Sequence, residues 1–224
     1  MKDRADLGRL HVITDVTLQS RFSHAELGRI VALAGADVVQ YRDKRPLGRD
    51  EHLRQACELR AALDRVPLVV NDQVEVARTC RARGVHLGHA DTPWRSARRL
   101  LGPRYWIGAT ANSLDRAIAA DVEAVDYLGV GPVFGTSSKT SPAAPVGVAG
   151  LRRIVESVSK PVIAIGGIGP DNVAAVLEAG VHGIAVLSAV VCCEDPAGAV
   201  GSLRRGIDRC IAESLLPAAR GGSR

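Results

Sequence analysis

Seven short segments of this chain carry residue types that could handle phosphates. Gln40-Tyr41-Arg42-Asp43-Lys44 places Gln40, Arg42 and Lys44 at period two. That spacing puts them on one face of an extended segment, about 6.8 Å between successive members. An amide and two cations on that face suit a diphosphate. A solvated strand end, or pairing of Arg42 and Lys44 with nearby acids, fits the same pattern. Asn71-Asp72 and Gly88-His89-Ala90-Asp91 each end an apolar run with a carboxylate. On neighbouring strands, Asp72 and Asp91 could share one Mg²⁺, which takes one or two carboxylates, several waters and substrate phosphate oxygens. Each acid could instead cap a helix: Asp72 ahead of QVEVARTC with Glu75 as its capping-box partner, Asp91 ahead of Thr92-Pro93. Beside a cationic strand end, metal binding is the better reading.

The rest of the chemistry is hydroxyl and glycine. Thr110 closes YWIGAT. Thr136, Ser137, Ser138 and Lys139 follow the glycine hinge of GPVFG, the composition of an anion-binding lid or of a plain loop. Lysine is rare here, 4 against 25 arginines, so Lys44 and Lys139 are worth locating. Gly166-Gly167 and Leu187-Ser188 end two later apolar runs, where glycine allows backbone to approach a phosphate closely. His86, inside GVHLG, reads as a buried structural histidine, and His11 and His182 show no partner pattern. No cysteine has the context of a nucleophile. With no general base in view, displacement of pyrophosphate by a second phosphorylated molecule fits best, because stabilising the leaving group is then the main demand.

Such residues must be carried by strand ends, and the sequence supplies eight. The runs are 10–15, 37–42, 67–72, 84–88, 105–110, 125–130, 161–167 and 183–188. Between them lie amphipathic stretches such as SHAELGRIVALAG and DEHLRQACELRAALD, the latter repeating Leu53, Ala56, Cys57 and Leu63 at helical spacing. Ser23 with Glu26 fits a capping box, and Gly35 and Gly180 sit at helix ends. Apolar strands alternating with helices imply a parallel sheet covered on both sides. Eight units predict a (β/α)8 TIM barrel in a single domain over 1–216, with a flexible tail over 217–224. An open doubly wound sheet is the rival, but no GxGxxG follows the first run. In such barrels the site lies at the C-terminal strand ends, with phosphate after strands seven and eight.

Composition narrows the classes. With 46% apolar residues among 224, the chain can fill a core and is not disordered. A net charge of +5, spread along the chain, and 3% aromatic residues give no argument for nucleic acid. Five cysteines without a CxxC imply neither a disulfide framework nor structural zinc. The apolar stretch 173–193 is interrupted by Glu178, Gly180, His182 and Gly183, and reads as helix, turn and strand, not a membrane span. With no apolar segment near the start, a cytoplasmic location is expected.

Taken in order, QYRDK, VVNDQVEVA, GVHLGHAD, IGAT, YLGVGPVFGTSSK, PVIAIGGI and GIAVLSAV resemble the thiamine phosphate synthase (thiamine-phosphate pyrophosphorylase) family over roughly residues 10–190. The resemblance implies a transferase that joins hydroxymethylpyrimidine diphosphate to thiazole phosphate, releasing pyrophosphate. It implies that Gln40, Arg42, Lys44, Asn71, Thr110 and Lys139 contact the pyrimidine diphosphate, with Arg42, Lys44 and Lys139 catalytic. Thr136, Ser137, Ser138, Gly167, Leu187 and Ser188 would hold the thiazole phosphate, and Asp72 and Asp91 would bind Mg²⁺. Thr110-Ala111-Asn112 departs from the family's usual Ser-Thr-His, His89 from a usual glutamine, and Gln73 from a usual arginine. Two alternatives stay open: a thiazole tautomerase-like isomerase on the same barrel, which relies on a histidine where Asn112 stands, and a non-catalytic phosphate-ligand barrel. The partners expected are small-molecule substrates, with no nucleic acid and no membrane; a homo-oligomer is left open.

Overall fold

A computed structural model describes residues 7–136 and 143–215. Eight strands run β1 (Leu10–Thr14), β2 (Val38–Tyr41), β3 (Leu68–Asn71), β4 (Gly84–Leu87), β5 (Trp106–Ala111), β6 (Tyr127–Val130), β7 (Val162–Ile165) and β8 (Gly183–Val186). They close into one barrel in sequence order, and every neighbouring pair is parallel. Helices α1 (His24–Leu33), α2 (Arg49–Ala62), α3 (Val74–Thr79), α4 (Trp94–Leu101), α5 (Leu114–Asp121), α6 (Gly147–Ser157) and α7 (Val173–Leu177) fill the successive crossovers. After β8 come α8 (Ser188–Val191) and α9 (Pro196–Leu215). The expected (β/α)8 barrel is what forms, and each strand lies within the run expected for it except β5, which continues one residue further to Ala111. No helix among the described residues is long and apolar enough to cross a membrane. Residues 217–224 lie outside the described residues.

Period-two alternation divides the buried side chains into two shells. Leu10, Val12, Val39, Tyr41, Val70, Val85, Ile107, Leu128 and Ile184 point outward into the layer between strands and helices. Ile13, Val38, Val69, Trp106, Tyr127, Ile163 and Ala185 point inward with Leu7 and plug the barrel. The registers His11↔Val38, Val69↔Gly84 and Gly84↔Trp106 align these inward positions. Gly84 lies against Trp106: a Cβ there would come 2.4 Å from the Trp106 carbonyl oxygen. The indole therefore fills the floor because β4 lacks a side chain at that level.

Local signals explain several helix ends. The Ser23 side chain accepts from Glu26 N–H at 3.2 Å while Glu26 accepts from Ser23 N–H at 2.8 Å, completing the expected capping box. Gly35 and Gly180 take φ of 108° and 87° after their helices, as expected. The apolar pattern of α2 is met in part: Ala56 and Leu63 are buried as expected, but Cys57 is exposed and Leu53 only partly buried, and His52 and Leu59 complete the inner stripe. Asp72 does not cap α3: Gln73 holds that position, Asp72 has φ 63°, and Glu75 pairs with Arg78 at 2.7 Å.

Candidate active site

A cavity of about 220 Å³ opens at the C-terminal end of the barrel. One wall is Gln40, Arg42, Asn71 and Thr110, from β2, β3 and β5; the other is Thr136, Gly166, Gly167, Leu187 and Ser188, from the ends of β6 to β8. Of the residues expected to serve two phosphorylated groups, Gln40, Arg42, Asn71, Thr110, Thr136, Gly167, Leu187 and Ser188 thus share one chamber. Ser137, Ser138 and Lys139 lie outside the described residues.

On the first wall, cations arrive already paired. Gln40 points inward and is almost wholly buried. Arg42 lies just past β2 and its guanidinium pairs with Asp15, whose carboxylate is fully buried at the end of β1. Thr17 holds the other Asp15 oxygen, donating from N–H at 2.8 Å and from Oγ1 at 2.5 Å. Asp15 was not singled out from the sequence, because its partner is 27 residues away. Behind this wall His24 bridges Thr14 Oγ1 at 2.7 Å and Asp43 at 3.3 Å. Burial favours the neutral form of Asp43, but hydrogen bonds from Arg45 and His24 outweigh it and hold the carboxyl down at about 2. Burial pushes His24 itself down to about 4.

Lys44, Asp72 and Asp91 stand beside the cavity as a group. The Lys44 ammonium pairs with Asp72. Asp72 is fixed by its N–H donating to the His86 carbonyl at 2.9 Å, and Asp91 by accepting from Gly88 N–H at 2.6 Å. Burial, then the adjacent Asp72 carboxylate, raises Asp91 above the ordinary aspartate value. Two carboxylates side by side, with a lysine alongside, are the donor set expected of a hard cation shared with phosphate oxygens. Neither acid caps a helix, since Pro93 precedes α4 without a side-chain bond. Among the described residues no third acid, histidine or cysteine joins them.

His86 corrects the sequence reading. It is half-buried, lines the cavity, and bridges Thr110 Oγ1 at 3.0 Å and Tyr127 Oη at 3.2 Å. Room for both rings comes from Gly108 and Gly129: a Cβ on Gly108 would meet Tyr127 at 2.3 Å, and one on Gly129 would meet His86 at 2.6 Å. Burial raises the Tyr127 hydroxyl far above its ordinary value, so it stays protonated. His86 therefore orients Thr110. The available signal was parity, since His86 sits opposite Asn71 on an inward face. His11, also on the cavity floor, donates from Nε2 to the Leu7 carbonyl oxygen at 2.8 Å.

The second wall is made by backbone proximity. Gly166 and Gly167 hold φ of 102° and 67°, a region that favours glycine. A Cβ on Gly166 would lie 2.6 Å from Pro132, and one on Gly167 2.7 Å from Phe134 Cβ. Val133 N–H donates to Ile165 O at 2.9 Å and Phe134 N–H to Gly166 O at 3.0 Å, tying the β6 and β7 ends together. Gly167 thus has a packing role besides any ligand contact. Ser188 opens α8 and lines the cavity. Of the departures from the family pattern, Asn112 lines the cavity, Gln73 precedes α3 without a side-chain cap, and His89 is exposed with its ring 5.2 Å from Trp94.

The family profile described as thiamine monophosphate synthase matches residues 10–190, the whole barrel and both cavity walls. The chain belongs to that family. Relatives named thiamine-phosphate synthase agree: that of Salinibacter ruber is 44% identical, with 93% of this chain and 92% of that protein aligned. That of Chloroflexus aurantiacus is 46% identical over 88% of this chain and 91% of that protein. Among solved structures, thiamine phosphate pyrophosphorylase from Pyrococcus furiosus superposes with TM-score 0.84 at 38% identity, covering 93% of this chain and 98% of that one. Membership in the thiamine monophosphate synthase family makes the two-walled chamber the place to look for its chemistry.

Proposed function

We propose that this chain condenses 4-amino-2-methyl-5-hydroxymethylpyrimidine diphosphate with thiazole phosphate, giving thiamine phosphate and pyrophosphate. The observation that carries this is the pairing, in one chamber of a thiamine monophosphate synthase family member, of a cationic wall and a glycine-hydroxyl wall. Gln40, Asn71 and Thr110 hold the pyrimidine, and Arg42 and Lys44 meet its diphosphate. Arg42 is presented by Asp15 in a fixed fork, which suits bidentate contact with phosphate oxygens. Thr136, Gly167, Leu187 and Ser188 take the thiazole phosphate, with Ser137 and Ser138 assigned beside them and Lys139 to the diphosphate on sequence alone.

Asp72 and Asp91 fit Mg²⁺, which when bound neutralises diphosphate charge. The chemistry asked of the chain is modest. The diphosphate leaves, the aminopyrimidine stabilises the carbocation, and the thiazole nitrogen captures it, so no side chain must abstract a proton. Preorganised cations at the leaving group then supply the main catalytic effect. Asn112 stands in the cavity wall where the isomerase reading needs a histidine, so that reading gains no support.

The test is direct. Purified protein given both substrates and Mg²⁺ should release pyrophosphate and thiamine phosphate in equal amounts. Binding of both substrates without either product would leave a ligand-binding barrel and refute the transferase.

A further inference from the structure

At the opposite end of the barrel lies a second cavity of about 300 Å³, lined by Arg60, Arg65, Arg81, Arg83 and Arg104. Three consecutive helix-to-strand connections build it, those entering β3, β4 and β5, with Arg60 added from the last turn of α2. Among the described residues, no aspartate or glutamate lines it. Arg60 Nη1 donates to the Asp64 carbonyl at 3.3 Å and Arg83 Nη1 to the Arg104 carbonyl at 3.4 Å. The Arg83 guanidinium also lies 4.7 Å from the Trp106 ring centroid. These contacts orient the two guanidiniums.

Elsewhere the chain treats arginine differently. Arg54 pairs with Glu51 and Glu58, Arg78 with Glu75, Arg95 with Glu123, and Arg98 with Asp126, each at 2.6–2.7 Å. Arg65, Arg81 and Arg104 have no carboxylate partner among the described residues. An arginine-rich composition explains many arginines; it does not explain the gathering of Arg65, Arg81 and Arg104, none with a carboxylate partner among the described residues, in one cleft. Like charges so placed repel, and a multiply charged anion relieves that repulsion. The planar guanidinium fork matches phosphate oxygens in particular. The volume is at the lower end for small-molecule sites, larger than a lone phosphate needs.

We propose that this cleft is a second anion site, on the face away from the active cavity, for a small molecule bearing a di- or triphosphate group. The strands it feeds carry Asn71, His86 and Thr110 toward the active cavity, so an occupant binds together the entries of three strands that position the reaction's pyrimidine side.

The probe is inorganic tripolyphosphate, titrated calorimetrically into Mg²⁺-free Lys44→Ala protein, whose active cavity has lost one diphosphate cation. Adding Arg65→Ala, Arg81→Asn and Arg104→Ala should weaken the remaining binding by at least ~10-fold. Asn is chosen at 81 because that residue has φ 56°. In the otherwise native protein the three substitutions should leave kcat and both KM values unchanged, which also reports an intact fold. Should the triple substitution lower the melting temperature, Arg104→Ala alone must still weaken binding by about 3-fold. Undiminished tripolyphosphate binding in these variants, or none in the Lys44→Ala protein, overturns the site. Binding of a single-stranded oligonucleotide at this face without tripolyphosphate binding would overturn the small-molecule class.

Discussion

The two walls of the active cavity are built by opposite means. On the β1–β5 side, function rests on charges whose partners come from distant strands: Arg42 on Asp15, Lys44 on Asp72, and Asp91 facing Asp72. Behind them sits a buried polar network of Thr14, His24, Asp43 and Arg45. On the β6–β8 side there is almost no formal charge among the described lining residues. Glycine backbone packs against Pro132 and Phe134, and hydroxyls of Thr136 and Ser188 complete the wall. On the proposed function, the difference teaches that the wall assigned to a metal-assisted leaving group needs fixed charge, whereas the wall assigned to a monophosphate that stays attached needs mainly close approach. The first wall should therefore fail by loss of charge or by acid, the second by added bulk.

Acid is expected to produce the largest effect. Burial pushes His11 and His24 down to about 4 from an ordinary value of 6.5. Between those values the unfolded chain binds protons that the folded chain refuses, so stability falls as pH drops from about 6.5 to about 4. Each histidine contributes a slope of about 1.4 kcal/mol per pH unit inside that window. Asp43, held at about 2, keeps its contribution throughout the same window, since it is lost only as pH falls below 3.8. Denaturant unfolding at stepped pH should show this decline, and His24→Gln should remove about half of it. A flat stability profile from pH 7 to 4 would show that the network is not buried as described.

Next in size is Arg42→Met. It strands the fully buried Asp15 carboxylate, a loss of about 3–5 kcal/mol in unfolding experiments. Asp15→Asn in the same protein should recover part of that loss without restoring activity. No recovery would mean that Arg42 acts through packing alone.

Asp72→Asn and Asp91→Asn should each lower turnover by about 10²-fold or more, on the scale of losing one preorganised electrostatic group. The fold should hold, and removing Mg²⁺ with EDTA should match the variants. Asn at 72 also tolerates the left-handed φ of 63° there. Full activity in EDTA would remove the metal from the account.

His86→Leu tests orientation on a smaller scale. Thr110 loses its 3.0 Å partner, and kcat should fall about 5- to 10-fold, as for one net hydrogen bond. Its KM for thiazole phosphate should not change. If His86→Leu and Thr110→Ala multiply their effects instead of overlapping, His86 does not act through Thr110.

Much of this was legible in the sequence because it is local. Strand ends, capping at Ser23, and the inward parity of Gln40 follow from period and side-chain chemistry alone. What stayed hidden is long-range. Nothing near Asp15 says that it faces Arg42, and the choice between capping and metal at Asp72 depends on Lys44 reaching across from β2. His86 looked structural because its apolar neighbours in GVHLG face outward while it faces the cavity. The glycine pair was read as a phosphate cradle; its contact with Pro132 and Phe134 arises only when β6 and β7 lie side by side.

The division between the walls is tested most directly by two-substrate kinetics on Lys44→Ala and Ser188→Ala. Lys44→Ala should raise KM for the pyrimidine diphosphate about 10-fold or more and leave that for thiazole phosphate nearly unchanged. Ser188→Ala should do the reverse, raising KM for thiazole phosphate about 5-fold. Equal changes in both constants for either variant, at an unaltered melting temperature, would contradict the assignment of one substrate to each wall.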